Sequence, residues 1–125
     1  MGAKTLPALR LEQLARIELG GGAHEDRRDG MCAMEAVAWL ADEPHSDHPE
    51  CTSPVIGALV RSWNDSLPDA DRTRILRPLL PKLLGTVGSP ALEARRAALC
   101  DDWMIRTFAP TWLDFAGLKE HAAAL

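Results

Sequence analysis

The sequence of 125 residues contains no tyrosine and only two phenylalanines, so four tryptophans supply most of its aromatic packing. β-Branched residues are few, and no stretch shows the alternation of apolar and polar residues that is typical of a half-buried strand. No apolar run approaches the roughly 18 residues that a membrane span requires. The first 30 residues lack the apolar segment of a secretory signal, so we expect a cytoplasmic protein.

The motifs that identify many enzymes and nucleotide-binding proteins are also missing. The sequence contains no phosphate-cradling glycine loop, no CxxC pair and no HExxH. Its net charge of −4 disfavours general binding to nucleic acid or to an anionic membrane. Hydrophobic and charged contents of 46% and 26% are ordinary for a globular protein.

Apolar residues recur at helical spacing along most of the chain, which predicts an all-α domain of five or six irregularly packed helices. We assign residues 1–29 to an N-terminal helix and a flexible glycine-rich connector, and residues 30–125 to a helical core, with one domain overall. The predicted helices cover residues 8–19, 31–41, 54–66, 69–85 with a break near Arg77, 90–108, and 109–125 with an interruption at Gly117.

Two of these helices have apolar faces that we expect to be buried. In the helix over 54–66, this face consists of Ile56, Leu59, Val60 and Trp63. In the helix over 90–108, it consists of Leu92, Leu99, Cys100, Trp103, Met104 and Phe108.

The central stretch of the chain, residues 30–54, joins an apolar helix to a loop rich in ligand-type side chains. Glu35 is the only charged residue between positions 31 and 41, so this helix belongs in a core. We place its N-cap at Asp29. Helical spacing puts Cys32 and Glu35 on one stripe, and a buried carboxylate requires a partner.

One interpretation of the central stretch is a structural metal site. Cysteine and histidine are the usual zinc ligands, and carboxylates also serve. The candidate ligands are Cys32, Asp47, His48 and Cys51, with Glu35 and His45 as associated residues.

A second interpretation gives the same residues ordinary structural roles. Cys32 would be a small buried hydrophobe, and Asp47 would accept a hydrogen bond in a turn. A Cys32–Cys51 disulfide ranks below free thiols, because three cysteines without an export signal favour a reducing compartment. The candidate partners of Glu35 are then His45 and His48 of the following loop, and Arg95, Arg96 and Arg106 of a later helix.

A third interpretation is catalysis. Cys32 or Cys51 would be the nucleophile, His48 the base, and Glu35 or Asp47 the residue that orients it. In a second version, Glu35 would be the general base for a metal-bound water.

Two other groups are candidate contact surfaces. Trp63, Asn64 and Asp65 lie at the end of the helix over 54–66 and would form a binding edge, although turn formation is the simpler interpretation. The second group is basic and consists of Arg72, Arg74, Arg77 and Lys82. No aromatic or glycine pattern accompanies it, which favours a solvated helix face over a phosphate site.

The motif CxMEAVAxLAxEPxSDHPxCxxPVI, which begins at Cys32, resembles one found in a group of small proteins of actinobacteria and their phages. The strings Trp63-Asn64-Asp65 and Arg77-Pro78-x-x-Pro81 fit the same pattern, and the resemblance covers roughly residues 28–118. The group has no established biochemical activity. The resemblance implies a cytoplasmic protein associated with a phage or another mobile element.

These observations favour a small cytoplasmic helical protein that binds or regulates another protein, with the metal site at 32–51 as a structural element in one version. The alternative is a small enzyme that uses a Cys/His/Glu or metal-bound-water site in the same region. The small size and the missing catalytic set favour the binding protein.

Overall fold

The computed structural model describes residues 6–125, with side chains from residue 8 onward. The helices are α1 (Leu6–Leu14), α2 (Ala33–Leu40), α3 (Pro54–Ser66), α4 (Asp69–Leu76), α5 (Pro90–Trp103), α6 (Ala109–Phe115) and α7 (Lys119–Ala123). Shorter 3₁₀ segments cover Arg27–Asp29 and Arg77–Leu83, and a π-helical turn covers Met104–Phe108.

The described residues contain no strand, so the all-α prediction is confirmed. Because the π turn joins α5 directly to α6, these two form one continuous rod, and the described part then has six helices, as predicted. No described helix is long and apolar enough to cross a membrane. The chain divides between Val87 and Gly88 into two compact units, which we call the N-terminal unit and the C-terminal unit.

α2 forms the centre of the N-terminal unit, with seven of its eight residues buried. The predicted N-cap at Asp29 was wrong, because Cys32 holds that position. The Cys32 thiol accepts a hydrogen bond from the Glu35 N–H at 3.4 Å, and the Glu35 carboxylate accepts one from the Cys32 N–H at 2.8 Å. This reciprocal pair is a capping box. Asp29 instead ends a 3₁₀ turn, after which Gly30 reverses the chain at a φ of 120°.

The other end of α2 is held by α1. Asp42 adopts a left-handed φ of 59°, and the Glu43 N–H returns to the Ala38 carbonyl at 2.9 Å, which closes the helix. Arg10 of α1 donates to the Trp39 carbonyl and pairs with the Asp42 carboxylate at 3.2 Å. A cation is favourable beside the negative end of a helix, so Arg10 anchors α1 there.

α3 begins as predicted, with Ser53 as the N-cap and Pro54 in the first turn. Its predicted buried face is confirmed at Val60 and in part at Ile56, but Leu59 and Trp63 were wrong, because both are about half exposed. The buried residues of the helix are Gly57, Val60 and Asn64. Apolar spacing alone did not reveal that a polar side chain, Asn64, occupies the inward face.

The predicted break near Arg77 is confirmed, since α4 ends at Leu76 and a 3₁₀ segment continues from Arg77. Pro78 and Pro81 cannot donate to an α-helical ladder, which accounts for the change of geometry. The segment packs against α2. Its contribution to the core consists of Leu80 and Leu83, next to Leu76 of α4.

Two buried polar side chains, Asn64 and Arg72, tie the loops to the helices. The Asn64 amide oxygen accepts from the Ala33 N–H at 2.9 Å, and its nitrogen donates to the Gly20 carbonyl at 3.0 Å. Arg72 Nε donates to the Asn64 carbonyl at 2.6 Å, and Nη2 donates to the Leu67 carbonyl at 2.8 Å. The predicted roles of Asn64 in a turn and of Arg72 on a solvated basic face were therefore wrong.

The rod of the C-terminal unit continues through Pro110, where a new helix was predicted. The Ala109 N–H reaches back five residues to the Met104 carbonyl. A wider turn at this point accommodates a proline, which has no N–H and crowds the carbonyls of the preceding turn. The rod ends before Gly117, whose φ of 81° lets the Leu118 N–H return to the Leu113 carbonyl at 2.8 Å. α7 then packs against α6.

The predicted buried side of the 90–108 helix was wrong. α5 contains no buried residue, and the buried residue of the C-terminal unit is Ala122. Helical periodicity identifies which side of a helix is apolar, but it does not show what covers that side. The predicted core residues that are exposed are Leu92, Leu99, Trp103, Met104 and Phe108.

We predict that Asn64→Ala lowers the free energy of unfolding by about 2–4 kcal/mol, because it leaves the buried Ala33 N–H and the partly buried Gly20 carbonyl without their partner. Urea unfolding followed by circular dichroism measures this change. Ser66→Ala on the same helix is the matched control, since its hydroxyl is exposed and bonds only to the Ser62 carbonyl. Equal effects of the two substitutions would contradict the role of Asn64.

Candidate functional site

The Glu35 carboxylate is 1% exposed and is surrounded by hydrogen-bond donors. Oε1 accepts from the Cys32 N–H and from His24 Nδ1, both at 2.8 Å. Oε2 accepts from the His24 N–H at 2.8 Å and lies 3.1 Å from His45 Nε2. We call Glu35, Cys32, His24 and His45 the Glu35 cluster.

Of the candidate partners of Glu35, His45 of the following loop is confirmed, with Nε2 3.1 Å from Oε2. His48 and the arginines were wrong, and His24 is the second partner. His48 contacts Asp47 instead, with 2.6 Å between Nδ1 and Oδ1. Arg96 pairs with Glu93 at 2.6 Å, and Arg106 pairs with Asp102 at 2.9 Å.

Glu35 is ionised in this environment. Burial raises its pKa, but the hydrogen bonds from the Cys32 and His24 N–H groups and from the His24 ring outweigh burial, so the pKa lies below the ordinary value. A carboxylate only accepts hydrogen bonds, so each imidazole nitrogen that faces it carries a proton. His45 Nε2 also lies 2.7 Å from the His24 carbonyl, which only accepts hydrogen bonds, so this contact too requires a proton on Nε2.

Sequence reasoning missed His24, which lies 11 residues before Glu35 in the segment assigned to a flexible connector. The sequence feature that could have indicated where the His24 ring lies is the pair of glycines at positions 20 and 30. A Cβ at Gly20 would lie 3.1 Å from His24 Cε1, and a Cβ at Gly30 would lie 3.2 Å from His24 Nε2. These positions therefore leave room for the imidazole ring.

Neither cysteine of the central stretch has the properties of a nucleophile. Burial and the neighbouring Glu35 charge raise the pKa of Cys32 to about 12. Burial and a hydrogen bond to Glu43 raise the pKa of Cys51 as well. Both are therefore protonated thiols at neutral pH, and the thiolate is the reactive form. All three cysteines are free, so Cys32 and Cys51 form no disulfide.

The loop after α2 is held by Glu43, a residue that sequence reasoning did not single out. Its carboxylate accepts from the Glu50 N–H at 2.6 Å and from the Cys51 N–H at 3.1 Å. Burial raises the pKa of Glu43, but its bonds from Cys51 and Glu50 outweigh burial and lower it overall. A sequence motif of titratable side chains cannot reveal the role of Glu43, because the groups that donate to its carboxylate are backbone N–H groups.

The structure does not bring the proposed metal ligands together. Cys32 caps α2, Cys51 lies beside Glu43, and Asp47 pairs with His48 near the surface. Among the described residues, no group of three or more His, Cys, Asp or Glu side chains could hold a metal ion.

Two cavities of the N-terminal unit lie beside residues that were candidates for function. One, of about 220 Å³, is lined by residues that include His48, Ser53 and Arg61. The other, of about 830 Å³, is open and lies beside Arg74 and Arg77. Neither is lined by a member of the Glu35 cluster, so the ionised carboxylate faces neither of these spaces.

The C-terminal unit presents a different candidate, a line of exposed apolar side chains that we call the aromatic stripe. The ring centroids of neighbouring aromatic residues lie 5.4, 6.0 and 5.9 Å apart along the rod. The stripe consists of Leu99 (70% exposed), Trp103 (48%), Phe108 (38%), Trp112 (56%) and Phe115 (85%). Of the predicted contact residues in the N-terminal unit, Trp63 is half exposed, while Asn64 and Asp65 bond to the loop at Gly20–Gly22.

The π turn keeps the stripe on one side of the rod. Trp103 and Phe108 are five residues apart, which in a regular α-helix would separate them by about 140°. The turn between them has five-residue hydrogen-bond spacing, and their rings are in contact. Single π turns of this kind occur frequently at functional sites.

We predict that Glu35→Gln lowers the free energy of unfolding by about 2–4 kcal/mol at pH 7, because an amide must turn an N–H toward the surrounding donors. Since folding lowers the pKa of Glu35, its stabilisation is present above the ordinary value of 4.5 and is lost as the pH falls through the folded pKa. The difference between Glu35→Gln and the parent should therefore shrink below pH 4.5 in urea unfolding. Glu50→Gln, at an exposed position, is the control and should change little.

Comparison of the chain with protein-family profiles, with curated proteins and with solved structures gives no match. Function therefore has to be inferred from the side chains and their arrangement.

Proposed function

We propose that this protein is a small helical binding protein that contacts another polypeptide through the aromatic stripe. The supporting observation is the stripe itself, in which five large apolar side chains are exposed and aligned along one side of a rod. The N-terminal unit is then a folded scaffold that is organised around the buried polar groups Glu35, Asn64 and Arg72.

The composition of the stripe supports a protein as the partner. Tryptophan and phenylalanine are enriched in the contact surfaces between proteins, and tryptophan in particular supplies much of their binding energy. Isolated exposed apolar residues are common, but a contiguous apolar patch indicates an interaction site. The stripe is contiguous, because each aromatic ring contacts the next.

The lack of buried residues in the rod supports the same proposal. Most of the stability of a protein helix comes from packing of its apolar side rather than from intrinsic propensity. No residue of α5, of the π turn or of α6 is buried. A partner that covers the stripe would supply the missing packing.

The enzyme alternative has less support. The two cysteines of the central stretch have raised pKa values, and Glu35 already accepts hydrogen bonds from surrounding donors. A base in this state has no free lone pair directed at a substrate. The metal site at 32–51 gains no support, since no described group of side chains could hold the ion. A cytoplasmic location is part of the proposal, and the three free thiols, which suit a reducing compartment, support it.

We predict that iodoacetamide alkylates Cys32 only when the protein unfolds, since the thiol is buried and its pKa is about 12. Peptide mapping by mass spectrometry across a urea gradient at pH 7.5 should show Cys32 labelling that follows the unfolding curve. Cys100 in the C-terminal unit is the internal control. Rapid labelling of Cys32 in the folded protein would instead favour the enzyme alternative.

We predict that a photoreactive phenylalanine analogue at position 112 forms a discrete polypeptide adduct in cells that express the protein. The same analogue at position 111 should not, because that position lies about 100° around the helix. Mass spectrometry of the adducts identifies the polypeptide that is joined. The absence of a discrete adduct at position 112, or equal adducts at both positions, would contradict the proposed surface.

A further inference from the structure

We propose that the aromatic stripe pairs with the same stripe of a second copy of this chain, so that two rods lie antiparallel across a two-fold axis at Phe108. This proposal names the partner of the proposed contact surface and rests on that function. A two-fold interface brings one surface patch onto itself, so the patch must be complementary to its own rotated image.

The spacing of the stripe meets this requirement. From the centre at Phe108, the next members lie five residues back at Trp103 and four residues forward at Trp112. The outer members lie nine residues back at Leu99 and seven forward at Phe115. An antiparallel copy therefore sets Trp103 opposite Trp112, and Leu99 opposite Phe115, with Phe108 opposite itself.

The exposed area suits a weak, reversible pair if the whole stripe is covered. An aromatic side chain offers about 150–250 Å² of surface, so the exposed fractions of the stripe correspond to roughly 600 Å² per chain. Two copies would bury on the order of 1,200 Å², which is the lower end of the range for specific interfaces. We therefore expect a micromolar dimer rather than a permanent one.

The charges of the C-terminal unit permit self-association. Residues 88–125 contain five acidic and four basic residues, so two copies bring together almost no net charge. Two of these charges, Asp102 and Arg106, form an ion pair at 2.9 Å within one rod. An anionic membrane surface would instead require a basic rod.

The first test is sedimentation equilibrium of the purified full chain from about 1 to 200 μM, a range that brackets a micromolar dissociation constant. We expect a reversible monomer–dimer equilibrium that Trp112→Ser and Phe115→Ser each weaken at least tenfold. Thr111→Ala, next to Trp112 but off the stripe, should leave it unchanged. Helix content by circular dichroism confirms that each variant is folded. A chain that stays monomeric, or a dimer that the stripe variants do not weaken, would overturn the proposal.

The second test determines the orientation in a Cys100→Ser background with copper phenanthroline as the oxidant. Phe108→Cys should be trapped as a disulfide dimer, because the two-fold axis places the position beside itself. Leu99→Cys should not be trapped, because its counterpart in an antiparallel pair is Phe115. A trapped Leu99→Cys dimer would indicate a parallel pair and would overturn the antiparallel arrangement.

The two proposals can fail separately. A monomeric chain whose position 112 is joined to a different protein overturns the second copy as partner and supports the binding function. A monomeric chain whose position 112 is joined to its own N-terminal unit overturns both proposals.

Discussion

The N-terminal unit depends on one buried charge, the Glu35 carboxylate. It accepts hydrogen bonds from the loop at His24 and from the start of α2 at Cys32, and His45 Nε2 of a third segment lies 3.1 Å from it. A buried carboxylate without such donors would be protonated or would destabilise the fold by several kcal/mol. Two loops are therefore fixed around the first turn of α2 by the requirement to satisfy one ion.

A second set of buried polar groups extends this arrangement to α3 and α4. Asn64 binds the N–H of Ala33 in the first turn of α2, and Arg72 binds the carbonyl of Asn64. Each group satisfies the next, so the loss of one member leaves another buried without a partner. The unit is thus organised by inward-facing polar contacts at the start of α2 as much as by the apolar packing along its length.

The sequence predicted those features that depend on local chemistry. Ser53 and Pro54 marked the start of α3, and Pro78 marked the change to 3₁₀ geometry. It also indicated that Glu35 is buried and paired, but it did not identify His24, which approaches from a distant loop through space left at Gly20 and Gly30. The inward position of Asn64 and the exposure of the stripe were likewise not predictable, because each depends on which surface meets a helix and not on the spacing within it.

The two units differ in where they place their side chains, and this difference bears on function. The N-terminal unit buries Glu35, Asn64 and Arg72 and exposes single apolar side chains such as Leu59 and Trp63. In the rod of the C-terminal unit, the exposed aromatic rings contact one another. Pro110 alone would account for a wider turn in the rod, but not for aromatic residues on the same side before and after it. The additional residue in the π turn shifts the helical phase, and Phe108, Trp112 and Phe115 all follow the shifted phase. Such agreement between backbone geometry and side-chain spacing is expected of a contact surface.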